Sequence, residues 1–187
     1  MKKSLEKFKI YKNVFDNFTL RTLFKLSTEA HFEDLISPVM IGKESNVFLA
    51  STTSKDYVIV KIYRLQSCNF NKMYSYIRSD PRFSELKNQR RLVIFKWVQR
   101  EYRNLLLARE KINVPTPIAF SNNILVMESI GNNIPAPQLK DSIPKDIEKF
   151  ADSLLYDVEK LVKIGLVHAD LSEFNILNYK EKPYFID

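Results

Sequence analysis

Three oxygen-bearing side chains toward the end of the chain could share one piece of chemistry. Asp170 and Asn175 stand five residues apart in His168-Ala169-Asp170-Leu171-Ser172-Glu173-Phe174-Asn175, and Asp187 closes the strand-like Tyr184-Phe185-Ile186-Asp187. Phosphoryl transfer asks a protein for little covalent help; it asks that γ-phosphate, metal and attacking hydroxyl be positioned while developing charge is neutralised. A carboxylate at 170 can orient or deprotonate the hydroxyl. The amide oxygen of Asn175 and the carboxylate of Asp187 are the hard ligands that Mg2+ prefers. His168 is assigned a packing and hydrogen-bonding place in the loop rather than an acid–base role. The alternative for the whole segment is a turn in which Asp and Asn cap backbone groups.

Upstream residues favour the chemical reading. Lys61 interrupts an apolar strand, Val58-Ile59-Val60-Lys61-Ile62, where an unpaired ammonium is costly to bury, so it calls for an anion. Glu101, on the following helix, can supply a carboxylate that aims Lys61 at ATP phosphates, as the lysine–glutamate pair of kinase folds does. The competing picture is a Lys61 that snorkels from an edge strand and a Glu101 in an ordinary surface pattern. Ahead of the first strand, Ile41-Gly42-Lys43-Glu44-Ser45-Asn46-Val47 could fold its backbone over phosphates, or be a plain turn. The run Leu125-Val126-Met127-Glu128-Ser129-Ile130 offers backbone groups that could read an adenine edge, with a buried strand as the alternative.

The elements that must carry these residues follow from periodicity and punctuation. The pattern predicts a short helix over 19–30 capped by Thr19, with Leu20, Leu23 and Phe24 on one face. A hairpin of Asn46–Ser51 and Tyr57–Tyr63 comes next. Residues 64–90 read as a long loop around Asp80-Pro81. A helix over 91–110 ends before Val114-Pro115-Thr116-Pro117, and a strand, 124–128, runs into the connector 131–137. The clearest helix is 144–164, with Pro144 in its first turn and Gly165 at the C′ position. Its stripe of Ile147, Phe150, Ala151, Leu154, Leu155, Val158, Leu161 and Val162 reads as core. Ile176-Leu177, a polar turn over 180–183 and the strand 184–187 complete the chain.

The 187 residues can bury one core, arranged as two small lobes. Charges break every apolar run before the roughly 20 residues of a membrane span, so no membrane partner is expected. The N-terminus has no apolar core of a secretory signal, and a cytoplasmic location is expected. Cys68 is the sole cysteine, which excludes an internal disulfide or a multi-cysteine metal site. A net charge of +7 is compatible with a polyanionic partner but names none.

Taken together, the motifs resemble the RIO family of atypical serine/threonine protein kinases, in the branch without an N-terminal winged helix. The resemblance rests on Gly42-Lys43-Glu44-Ser45-Asn46-Val47-Phe48, Val60-Lys61-Ile62-Tyr63 and Arg78-Ser79-Asp80-Pro81-Arg82-Phe83. It rests equally on Glu101-Tyr102-Arg103-Asn104-Leu105, Val126-Met127-Glu128, Pro135-Ala136-Pro137-Gln138-Leu139-Lys140, Val167 to Leu177, and Ile186-Asp187. It implies an α+β, minimal bilobal kinase-like fold: a β-rich N-lobe over about 19–128, a hinge over about 128–137 and a partial helical C-lobe over about 138–187. It implies ATP as substrate with Mg2+ or Mn2+, serine autophosphorylation, ATP hydrolysis and a part in small ribosomal subunit maturation. The partners so implied are pre-ribosomal RNA and small-subunit proteins.

By position, the resemblance makes Asp170 the catalytic aspartate, pairs Lys61 with Glu101, and gives Asn175 and Asp187 to metal. It gives Gly42, Lys43, Glu44, Ser45, Val47, Lys61, Met127, Glu128 and Ile130 to nucleotide. In this family the metal-binding aspartate can also accept a phosphoryl group. RIO domains continue beyond that aspartate, so the resemblance implies a C-lobe truncated at Asp187: a fragment, or a domain of impaired activity. Two further functions stand beside the kinase reading. One is a non-catalytic assembly factor using the basic run Lys87, Arg90, Arg91, Lys96, Arg100 and Arg103. The other is a kinase-fold phosphotransferase for a small molecule.

Overall fold

The computed structural model describes residues 15–66, 70–81, 89–131 and 134–186. Two compact units divide the chain, Met1–Tyr102 with Ile118–Met127, and Arg103–Pro117 with Glu128–Asp187. Residues Arg103–Pro117, expected with the first lobe, thus cluster with the second unit. Cys68, Lys87, the Arg82-Phe83 pair and Asp187 lie outside the described residues.

The first unit is built on a five-stranded sheet ordered β1-β2-β3-β5-β4, from β1 (Asp34–Ile41), β2 (Ser45–Ser51), β3 (Tyr57–Tyr63), β4 (Pro117–Ser121) and β5 (Ile124–Glu128). Side chains alternate between the two faces of a strand. Phe48 and Ala50 of β2, Val58, Val60 and Ile62 of β3, and Ile124 and Val126 of β5 therefore share one face. With Leu20, Leu23 and Leu26 of α1 (Asn17–Thr28) they form the core. The same parity sends Lys61 and Tyr63 to the opposite face, and β3 is an interior strand rather than an edge. Asn123, fully buried, donates to Thr19 Oγ1 at 3.0 Å and to the Tyr63 carbonyl at 2.8 Å, tying the β4–β5 turn to α1 and β3.

Several expectations about this unit need correction. Helix α1 begins earlier, because the Asp16 carboxylate accepts the Thr19 N–H at 2.7 Å, so Asp16 is the cap and Thr19 lies in the first turn. Strand β1 was not foreseen. It is an edge strand with Pro38 inside it, two register shifts and outward Ile36, Val39, Met40 and Ile41, which together erase alternation. The long loop contains a helix, α2 (Phe70–Arg78), held by Met73 and Ile77, 2% and 0% exposed and one turn apart. Helix α3 (Arg90–Ala108) is close to its expected bounds, while β4 was also missed.

In the second unit α4 (Ile147–Lys163) starts after Asp146, whose carboxylate accepts the Lys149 N–H at 3.0 Å, leaving Pro144 outside the helix. Gly165 occupies the expected C′ position with φ +76°. Its N–H bonds to the Val162 carbonyl and that of Leu166 to Leu161, both at 2.9 Å. The expected all-core stripe is overturned in part: Phe150 and Leu161 are buried, whereas Ile147, Ala151, Leu155 and Val162 are exposed. The described elements cover only part of a stripe this wide. Strands β6 (Ile176–Tyr179) and β7 (Lys182–Phe185) form a hairpin whose two turn residues, Lys180 and Glu181, both have positive φ. Pro183, expected in the turn, lies within β7. Among the described residues no helix is long and apolar enough to cross a membrane.

Candidate active site

In the first unit Lys61 and Glu101 meet. Nζ lies 3.0 Å from Oε1, and the two residues are only 4% and 9% exposed. Burial removes the snorkelling alternative, because both charges have left water and pair with one another. Tyr63, two residues along β3 on the same face, donates its phenol proton to Oε2 of Glu101. Burial first, and the neighbouring Glu101 carboxylate second, push the Tyr63 phenol well above the ordinary tyrosine range. It stays a donor at neutral pH.

The turn between β1 and β2 carries Gly42, Lys43, Glu44 and Ser45. Gly42 N–H donates to the Ser45 carbonyl at 2.9 Å, and a Cβ at 42 would press on that same oxygen at 3.0 Å, so the turn is closed tightly enough to favour glycine. Val47 is the direct cross-strand partner of Lys61 and shares its face. Met127 ends the first unit as a buried residue of β5. In the second unit the Glu128 N–H donates to the Thr116 carbonyl at 2.8 Å, and the Ile130 carbonyl accepts from Ala136 at 2.6 Å. Gly131, at φ +120°, brings the connector back on itself; a Cβ there would sit 2.3 Å from the Ile134 oxygen.

The second unit also holds the His168–Asn175 loop, built mainly from backbone contacts. Asp170 N–H closes a tight turn on the His168 carbonyl at 2.8 Å around Ala169, which takes a left-handed φ of +61°. Asn175 Nδ2 donates to the Asp170 carbonyl at 2.8 Å, and the Ile186 N–H returns to the Asn175 carbonyl at 2.9 Å. Asp170 is exposed. His168 Nε2 lies 3.3 Å from the Ile186 carbonyl, in the structural place expected of it. Burial lowers the His168 pKa, against the raising pull of that carbonyl and of Asp170, so the ring is neutral at pH 7. The connector braces the loop from outside. Gln138 Nε2 donates to the Phe174 carbonyl at 2.7 Å, Leu139 N–H to Ile176 at 2.8 Å and Lys140 N–H to Glu173 at 3.3 Å.

A RIO-domain family profile matches residues 46–187. The chain belongs to the RIO family. It is 45% identical over 188 residues to the RIO-type serine/threonine-protein kinase Rio1 of Methanocaldococcus jannaschii, covering 100% of this chain and 64% of that protein. It is 34% identical to the serine/threonine-protein kinase RIO1 of Homo sapiens over 93% of this chain and 32% of the human protein. The chain therefore spans less than two thirds of the length of these relatives. Among solved structures, two Rio2 kinase crystal structures from Chaetomium thermophilum share its α+β, kinase-like fold. One is an ADP/Mg2+-phosphoaspartate complex and matches at TM-score 0.65 and 24% identity, over 90% of this chain and 51% of that one. The other matches at TM-score 0.69 and 22% identity, over 93% and 54%.

Within this RIO chain two pairs foreseen from sequence are brought together, Lys61 with Glu101 and Asp170 with Asn175. Asp187 lies outside the described residues. Sequence reasoning gave no role to Tyr63 or Gln138. A signal existed for Tyr63, which is two residues past Lys61 on a strand and so shares its face. Gln138 carried no such signal, since its partner is a carbonyl 36 residues away.

Proposed function

We propose that this RIO family member is an ATP- and Mg2+-dependent serine/threonine protein kinase and ATPase that phosphorylates itself and acts in small ribosomal subunit maturation. The observation that carries the reading is the buried Lys61–Glu101 pair, since a lysine held dry and aimed by a carboxylate is what binding an ATP phosphate needs. Lys61 takes phosphate; Gly42, Lys43, Glu44, Ser45 and Val47 line its approach. Backbone groups of Met127, Glu128 and Ile130 read the adenine edge. Asp170 orients the attacking hydroxyl, and its exposure suits a group that must meet a substrate.

Asn175 and Asp187 would hold Mg2+, with Mn2+ as an equivalent. The donor chemistry fits: Asn175 spends its Nδ2 on the Asp170 carbonyl, which turns the amide's hard oxygen to other uses. When bound, the ion would neutralise charge on the transferring phosphate. The phosphoaspartate of the Rio2 complex supports carrying the same acceptor chemistry to Asp187. Names of the archaeal and human relatives support serine/threonine specificity.

The test is incubation of the protein with labelled Mg-ATP beside Asp170→Asn. Phosphate release and self-labelling should fall by about 10²–10⁴-fold in the variant. Equal turnover by both proteins would remove Asp170 from the mechanism. Exclusive turnover of a small hydroxylated substrate would replace the protein-kinase reading.

A further inference from the structure

Tyr63 is a buried titratable group without a part in the assignments above. Tyr63 and Lys61 project from the same face of β3, and both reach Glu101 of α3. Their hydrogen bonds converge on its carboxylate. The phenol proton goes to Oε2 of Glu101, and Lys61 Nζ donates to Oε1 at 3.0 Å. A phenol has one proton, and Tyr63 donates it to the Glu101 carboxylate. The charged groups near the phenol are Glu101, Lys61 with Nζ 5.2 Å from the ring centre, and Glu44.

This arrangement solves a problem that a bare lysine–glutamate pair has. If Lys61 were the only donor to Glu101, turning its ammonium toward a phosphate would strand a buried carboxylate. With Tyr63 on the second oxygen, Glu101 keeps a charge-assisted hydrogen bond while the lysine is shared. We propose that Tyr63 is a positioning residue: by anchoring Oε2 of Glu101 it holds the carboxylate in place so that Lys61 divides its protons between Glu101 and a nucleotide phosphate. The proposal rests on the assignment of Lys61 to phosphate made above. Tyr63 itself touches no substrate.

The experiment titrates the full chain with Mg-ATP and, separately, with adenosine, in wild type, Tyr63→Phe, Lys61→Met and the double variant. Loss of the phenol donor should weaken Mg-ATP binding about tenfold, the scale of one hydrogen bond to a charged group. Adenosine affinity should not move, which separates positioning from general damage, and Tyr63→Phe should add nothing once Lys61 is gone. A wild type that binds Mg-ATP no better than adenosine removes the phosphate role of Lys61 and this inference with it. A phosphate preference lost in Lys61→Met but whole in Tyr63→Phe, or additive losses in the double variant, overturns the inference alone. Should Tyr63→Phe not fold, Tyr63→Leu, which also lacks the phenol donor, decides: a reduced preference for Mg-ATP over adenosine supports the inference, and an unchanged one ends it.

Discussion

Lys61 and Asp170 are the two charges most central to the proposed reaction, and the two units hold them in opposite ways. Lys61 is 4% exposed on an interior strand, sandwiched against a helix, and the carboxylate it meets is itself held by a second donor. Asp170 is exposed, on a loop fixed by its own backbone turn and by the connector at Gln138. The first is an arrangement made by burial and the second by local geometry. A cation that must keep one orientation through every cycle gains from a dry, fully paired setting. A carboxylate that must meet an incoming hydroxyl cannot be sealed, so its orientation comes from the turn beneath it, at the cost of a left-handed Ala169.

This contrast can be broken by mutation. Glu101→Ala should show the largest effect, destabilising the protein by about 3–5 kcal/mol in chemical denaturation because it removes the carboxylate that pairs with the buried Lys61 ammonium. Asp170→Asn, by contrast, should shift unfolding by no more than about 0.5 kcal/mol while turnover collapses. Comparable stability losses in both would mean the two sites are not differently built. Ala169→Gly should raise stability by up to about 1 kcal/mol, since glycine adopts a φ of +61° without the strain that a Cβ brings. A loss of stability instead would show that the turn is unstrained.

The smallest effect concerns pH. Burial lowers the pKa of His168 in the folded state below the ordinary value of about 6.5. Between those two values the unfolded chain binds more protons, so stability should be full above about pH 6.5 and fall as the solution is acidified. Because the ring is only partly buried, the slope should be shallow. Unfolding curves for wild type and His168→Gln across that window would sharpen the comparison: the variant should lose part of the acid-side slope, and identical slopes would place the acid sensitivity elsewhere.

Much of the fold was legible where one physical signal dominated. The hairpin of β2 and β3 showed its two β-rich runs around a polar turn, the C-terminus of α4 its glycine, and α3 its period. Elements were missed where signals opposed one another. Edge strand β1 breaks its own alternation with Pro38 and two register shifts, and α2, although Phe70, Met73, Tyr74 and Ile77 stand at helical spacing, is only nine residues long and set in a polar, aromatic stretch. The width of the apolar stripe on α4 was read correctly as apolar and wrongly as wholly buried, because periodicity tells which side chains share a face and not how much of that face is covered.

For the site, an ammonium in an apolar strand was enough to single out Lys61, while Glu101, Asp170 and Asn175 were singled out by their order along the chain and by the family resemblance they complete. Those choices are local and survive any packing. What only the tertiary structure decided is which partners complete them: Tyr63 at Glu101, Ile186 at His168, Gln138 at the Phe174 carbonyl. Each of these contacts joins segments distant in sequence or selects one among several residues on a shared face. Such selection depends on the register of strands and the placement of a helix against them, which no local pattern encodes.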